Sequence, residues 1–137
     1  PAEPWVTELY GINDLGTAAG ERAEGRPAAT AEDIIAAFDQ TITRARDHEI
    51  KVYGGTIMPF GDCFYFSEQG EADRQAINEW IRHSGRFDGV IDFDQVARDP
   101  SNPRMLRPEL DSGDHLHLSA AGLKSIADAI DLSLFAE

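Results

Sequence analysis

Hydrophobic positions along this chain fall into short apolar runs that alternate with stretches of helical spacing. Trp5-Val6-Thr7-Glu8-Leu9-Tyr10 reads as a strand stopped by Gly11. Residues Gly16 to Ala29, rich in Gly, Ala and charge, read as a loop. Thr30-Ala31-Glu32-Asp33 has the form of a helix start, and Ile34, Ile35, Phe38, Ile42 and Ala45 follow on one face. Ile50 to Ile57 is a second strand and Met58 to Gly70 a long aromatic loop. Glu71 to Arg82 is a helix with Ala72, Ala76, Ile77, Trp80 and Ile81 inward. Gly89 to Phe93 is a third strand, and Pro100, Pro103 and Pro108 mark an extended loop. Ser119 opens a last helix in which Leu123, Ile126, Ala127, Ile130 and Leu134 repeat.

Strands that alternate with helices predict a parallel sheet with helical crossovers. The C-terminal ends of such strands share one edge, where ligands of open α/β sheets bind. The chemistry is therefore expected in Gly11 to Gly16, Met58 to Gly70 and Phe93 to Gly122. With no repeat or linker, residues 1–137 read as one domain.

Charge narrows the function. With 25 Asp and Glu against 12 Lys and Arg, the net charge is −13. Phosphate backbones and anionic membrane surfaces are repelled, so nucleic acid is not an expected partner. No window approaches the roughly 20 apolar residues of a membrane span. The lone Cys63 excludes an intrachain disulfide and leaves the compartment open, whether cytoplasmic or secreted after loss of a leader.

Two edge loops carry candidate chemistry. In Gly11-Ile12-Asn13-Asp14, the Asn13 amide could donate to the oxygen that becomes negative in acyl transfer, although such a sequence is also ordinary turn chemistry. In Asp111-Ser112-Gly113-Asp114-His115-Leu116-His117-Leu118-Ser119, Asp114 could orient His117 and leave its other nitrogen as a general base. A plain capping loop and a weak metal site of Asp114, His115 and His117 are the competing readings.

Taken together, the two loops are more specific. Tyr10-Gly11-Ile12-Asn13-Asp14-Leu15-Gly16 and Asp114-His115-Leu116-His117-Leu118-Ser119-Ala120-Ala121-Gly122 resemble the third and fifth conserved blocks of the SGNH (GDSL-type) hydrolases. The intervening Thr56 to Phe60, Arg74 to Trp80 and Gly89 to Asp94 are similar to the arylesterase-like subgroup. The resemblance runs from about Trp5 to Phe135. It implies an α/β three-layer flavodoxin-like fold, with helices on both faces of a parallel sheet. It also implies a carboxylic ester hydrolase that needs no metal or other cofactor. Asn13 would donate to the oxyanion, His117 would be the base and then the acid, and Asp114 would orient it. Where family members often have Pro after the catalytic His, this chain has Leu118.

The family's Gly-Asp-Ser block, which holds the nucleophile, precedes the Gly-x-Asn-Asp block by many tens of residues; here ten residues precede Gly11. The chain therefore reads as the C-terminal portion of such a domain, a truncated fold without its serine. The alternative is a catalytically silent assembly module. Gly61-Asp62-Cys63-Phe64 mimics the missing block and makes Cys63 a candidate nucleophile, though it follows the wrong strand. Ser67, Ser112 and Ser119 read as loop, turn and cap residues. The first strand would lack a neighbour, so a homodimer or pairing with another chain through that strand is expected.

The substrate expected is a small ester, with carbohydrate and aryl esters as candidates. Gly11, Phe60, Phe64 and Tyr65 are candidate substrate-binding residues, with packing of the aromatic loop as the competing reading. His48 and His83 near helix ends, and Asp92 and Asp94 after a strand, are read as structural polar groups.

Overall fold

The computed structural model describes residues 4–136. Three strands, β1 (Trp5–Glu8), β2 (Lys51–Gly55) and β3 (Gly89–Ile91), pair in parallel in the order β1-β2-β3. Val6 lies opposite Val52, and Tyr53 opposite Gly89. The helices are α1 (Ile12–Ala23), α2 (Ala31–Asp47), α3 (Glu68–His83), α4 (Phe93–Ala97) and α5 (Ala120–Asp128), followed by a 3-10 turn at Leu132–Phe135.

The alternation of β2 sorts the layers. Val52 joins Leu15, Phe38, Ile42, Ile77 and Ile81 in a buried cluster drawn from α1, α2 and α3. Tyr53 points the other way, packing edge-on against Phe135 with centroids 5.1 Å apart. Its hydroxyl donates to the Leu134 carbonyl. Helices therefore cover both faces of the sheet, which is the expected α/β architecture.

Local signals in the sequence set several boundaries. Thr30 forms a capping box with Asp33: its Oγ1 accepts from the Asp33 N–H at 3.2 Å, and its own N–H donates to Asp33 Oδ2 at 3.0 Å. Ser119 caps α5 by accepting from the Gly122 N–H at 3.2 Å.

The stretch expected as a loop from Gly16 to Ala29 is largely helix, because α1 runs from Ile12 to Ala23. Leu15 and Ala18 are buried from it, and Arg22 ties it to α3 through Asp73 at 3.3 Å. The first strand ends at Glu8 rather than Tyr10, and the aromatic loop stops at Ser67, which caps α3.

The inner face of α3 also differs from expectation. Ala72 and Ala76 are exposed, whereas Glu71, Asp73, Arg74 and Asn78 are buried. Arg74 donates to Glu71 Oε2 at 2.8 Å, Asp94 Oδ1 at 2.7 Å and the Ile57 carbonyl at 3.0 Å. Arg82 bridges Asp92 and Asp94 at 2.7 and 2.6 Å. Asp92 and Asp94 are thus the far half of a buried ionic network, and Asp92 also caps α4. Asn78 pins the chain just past β2, accepting from the Ile57 N–H at 2.7 Å and donating to the Ile57 carbonyl at 2.8 Å. The network fixes how the strand enters the loop at Met58.

Candidate active site

The three strands end on one edge, and three segments meet there around a cavity of about 370 Å³. Leu9 to Asn13, Ile57 to Pro59, and Leu116 to Leu118 contribute walls, with Leu123 and Ile126 of α5 closing one side. Asn13 and His117 both line it. The other lining residues are apolar apart from the Tyr10 hydroxyl.

Asn13 sits in the first turn of α1, not in a strand-tip loop. The helix begins after Gly11, whose φ of 111° is left-handed, and no side chain caps it. The Asn13 side chain is exposed and has no hydrogen-bond partner among the described residues. The positive end of a helix and a free amide donor therefore share the cavity wall.

His117 is held by Asp114. Its Nδ1 lies 2.6 Å from Asp114 Oδ2, while Asp114 Oδ1 accepts from the N–H groups of His117 at 2.8 Å and Leu116 at 3.0 Å. Ser112 donates to the same Oδ1 at 3.0 Å. The His117 contacts first, then the backbone donors, hold the Asp114 carboxyl far below the usual range. An ionised acceptor on Nδ1 selects the tautomer that leaves Nε2 free to take a proton.

The remaining candidates lie elsewhere. Phe60 is fully buried in the core, and Phe64 is 77% exposed with its ring tilted against Tyr65, centroids 4.2 Å apart. Tyr65 lies over Gly16 so closely that a Cβ there would sit 2.3 Å from its ring. None of Gly11, Phe60, Phe64 or Tyr65 lines the cavity.

Cys63 is buried in the hydrophobic cluster and also lies off the cavity wall. Burial pushes its thiol up, and the nearby Asp114 charge pushes the same way against two backbone donors. Both effects disfavour the thiolate that a nucleophile requires. Ser67 and Ser119 are helix caps, and Ser112 is committed to Asp114. Among the described residues no His, Cys, Asp and Glu cluster could hold a metal ion. His115, invoked in the metal reading, pairs instead with Asp111 at 2.6 Å.

Of the cavity walls, Met58, Pro59 and Leu116 carry no candidate role in the sequence, whereas Leu118 is marked there only as the residue after His117. Their places just past the end of β2 and beside His117 are the signal that points to them.

Comparison with known proteins decides the family: the model of the GDSL-like lipase/acylhydrolase family matches residues 1–124. The chain belongs to that family. No curated protein matches the sequence. Among solved structures, the fold is similar to a GDSL-like lipase from Bacteroides thetaiotaomicron, with a TM-score of 0.71 and 17% identity over 95% of this chain. It is also similar to a proposed acylhydrolase from Bacteroides fragilis, with a TM-score of 0.71 and 15% identity over 95% of this chain. At these identities the likeness shows the fold alone. The chain spans 61% and 60% of those two structures. Among the described residues no helix is long and apolar enough to cross a membrane.

Proposed function

We propose that this chain supplies the base and the oxyanion donor of a carboxylic ester hydrolase, with the nucleophile coming from a serine outside the described residues. The observation that carries the reading is that Asn13 and His117, from opposite ends of the chain, line one apolar cavity. In this scheme His117 Nε2 takes the serine proton as the hydroxyl oxygen attacks the ester carbonyl. Asn13 donates to the resulting oxyanion. The protonated imidazole then gives its proton to the departing alcohol, and Asp114 stabilises the imidazolium. Water repeats the sequence to release the acid. The apolar walls suit an uncharged acyl or aryl group.

Incubating the full gene product with a fluorophosphonate probe and p-nitrophenyl butyrate tests the proposal. Hydrolysis together with a label on a serine outside residues 4–136 is expected. A label on Cys63, or no hydrolysis by the full gene product, would overturn it.

One observation favours a second role for the open edge, as a surface on which copies of this chain associate. Among the described residues β1 pairs on one side, with β2, and Trp5, Val6, Leu9 and Tyr10 are 52%, 38%, 44% and 39% exposed on it or just past it. Such an edge recruits another strand, and a second copy of β1 is the occupant always at hand.

A further inference from the structure

The loop that carries Asp114 and His117 contains a second carboxylate–imidazole unit, interleaved with the first. Asp111 Oδ1 accepts from the N–H groups of Gly113 at 2.8 Å and His115 at 3.0 Å. Its Oδ2 lies 2.6 Å from His115 Nδ1. The two units match closely: each carboxylate gathers two backbone N–H groups and one imidazole. They differ in placement. His117 lines the cavity and His115 does not. The Asp111 side chain is 10% exposed against 45% for Asp114.

The backbone shows why a brace is needed. Gly113 and His115 have φ of 104° and 61°, two left-handed residues around Asp114. Glycine takes that conformation freely, but a side chain bearing a Cβ takes it at a cost in strain. Asp111 holds His115 there by its N–H and its imidazole, and holds Gly113 by its N–H. The reversal this creates turns the Leu116 and His117 N–H groups toward Asp114 Oδ1. An antiparallel bridge between Asp111 and Leu118 closes the loop, with the Ser112 N–H donating to the His117 carbonyl at 3.0 Å.

The geometry points to Asp111 as a positioning residue for the His117 base, acting through the left-handed backbone of His115. This rests on the reading of His117 as the base, but it concerns the conformation of the loop and can be tested without turnover. Asp111 keeps Asp114 under His117, and so keeps the proton on Nδ1 and the lone pair on Nε2. His115 is the point at which the strain is held, and its imidazole is the third tie on Asp111.

Long-range ¹H–¹⁵N spectra of the His117 ring report its tautomer directly. In the unmodified protein the Nδ1–H form is expected to dominate. Asp114→Ala sets the reference for its loss, because a neutral imidazole without that acceptor prefers Nε2–H. Asp111→Ala is expected to shift His117 most of the way to that reference. Adding His115→Gly to Asp111→Ala is expected to restore the Nδ1–H form, since glycine holds the backbone angle without the brace. If Asp111→Ala does not fold, Asp111→Asn keeps an oxygen for the backbone donors and is expected to give a partial shift. A His117 tautomer unchanged by Asp111→Ala or Asp111→Asn would overturn the inference. So would a loss that His115→Gly fails to rescue. A tautomer that shifts as expected in a protein without esterase activity would leave the brace standing and remove the hydrolase reading instead.

Discussion

Arg74 and Asp94 form an ion pair at 2.7 Å with both side chains withdrawn from solvent, joining α3 to the segment after β3. Arg74 is fully buried, and its guanidinium is held charged: burial opposes that state, and bonds to Glu71 and Asp94 outweigh it. Removing Arg74 leaves the buried Glu71 carboxylate without its guanidinium and takes one of three arginines from Asp94, which keeps Arg82 and Arg98. Arg74→Met is therefore expected to lower unfolding stability by about 3–5 kcal/mol. A lower urea midpoint with an unchanged slope would show this. A midpoint equal to that of the unmodified chain would mean that the network contributes little.

Glu8 is buried at the end of β1, and its Oε2 has no partner among the described residues. Burial raises its pKa, against hydrogen bonds from Thr41 and Tyr10. A carboxyl whose folded pKa is raised favours the native state below its unfolded pKa, about 4.3, and loses that contribution as pH rises through the folded value. Glu8→Gln removes the charge and is expected to raise Tm at pH 7. The gain should vanish near pH 4, where both proteins are neutral at this position. A lower Tm for Glu8→Gln at pH 7 would contradict the account.

Gly122 packs its backbone against the loop that positions His117. A Cβ there would lie 2.5 Å from the Leu110 carbonyl oxygen, which already accepts from the Ser119 N–H at 2.8 Å. Backbone cannot swing aside as a side chain can. Gly122→Ala is expected to destabilise the fold by about 1–3 kcal/mol, the usual range for overpacking. Chemical shifts should change from Leu110 to Leu118; an unperturbed loop would show that α5 can move away.

Pairing through β1 predicts that residues 1–137 alone sediment as a dimer at micromolar concentration. Val6→Lys places a charge on the edge and is expected to restore the monomer. A monomer in the unmodified chain would remove the assembly reading.

Features written in local sequence were the ones legible in advance. The helix starts at Thr30 and Ser119 each need three or four consecutive residues, and both side chains cap as expected, Thr30 within a full box with Asp33. The apolar face of α2 is buried through Ile34, Phe38 and Ile42. The Gly and Ala of α1 suggested a loop because they lack bulk. In the fold Gly16 lets the helix lie against the Tyr65 ring, and Leu15 and Ala18 are buried. The charged inner face of α3 could not be read, because Asp92 and Asp94 follow Arg74 only after a further strand. The last helix was legible only in part: α5 ends at Asp128, so Ile130 lies past it and Leu134 in the 3-10 turn, and Leu123 is 58% exposed and borders the cavity. For the site, sequence order supplied Asn13, Asp114 and His117, and only the fold brought Met58 and Pro59 beside them.

The account depends most on Asn13 and His117 serving one reaction. The direct measurement is kcat/KM for p-nitrophenyl butyrate in the full gene product carrying Asn13→Ala, His117→Ala or Cys63→Ala. His117→Ala is expected to fall by about 10²–10⁴-fold and Asn13→Ala by about 10²–10³-fold, with Cys63→Ala close to the unmodified enzyme. Full turnover in His117→Ala, or a loss confined to Cys63→Ala, would contradict it.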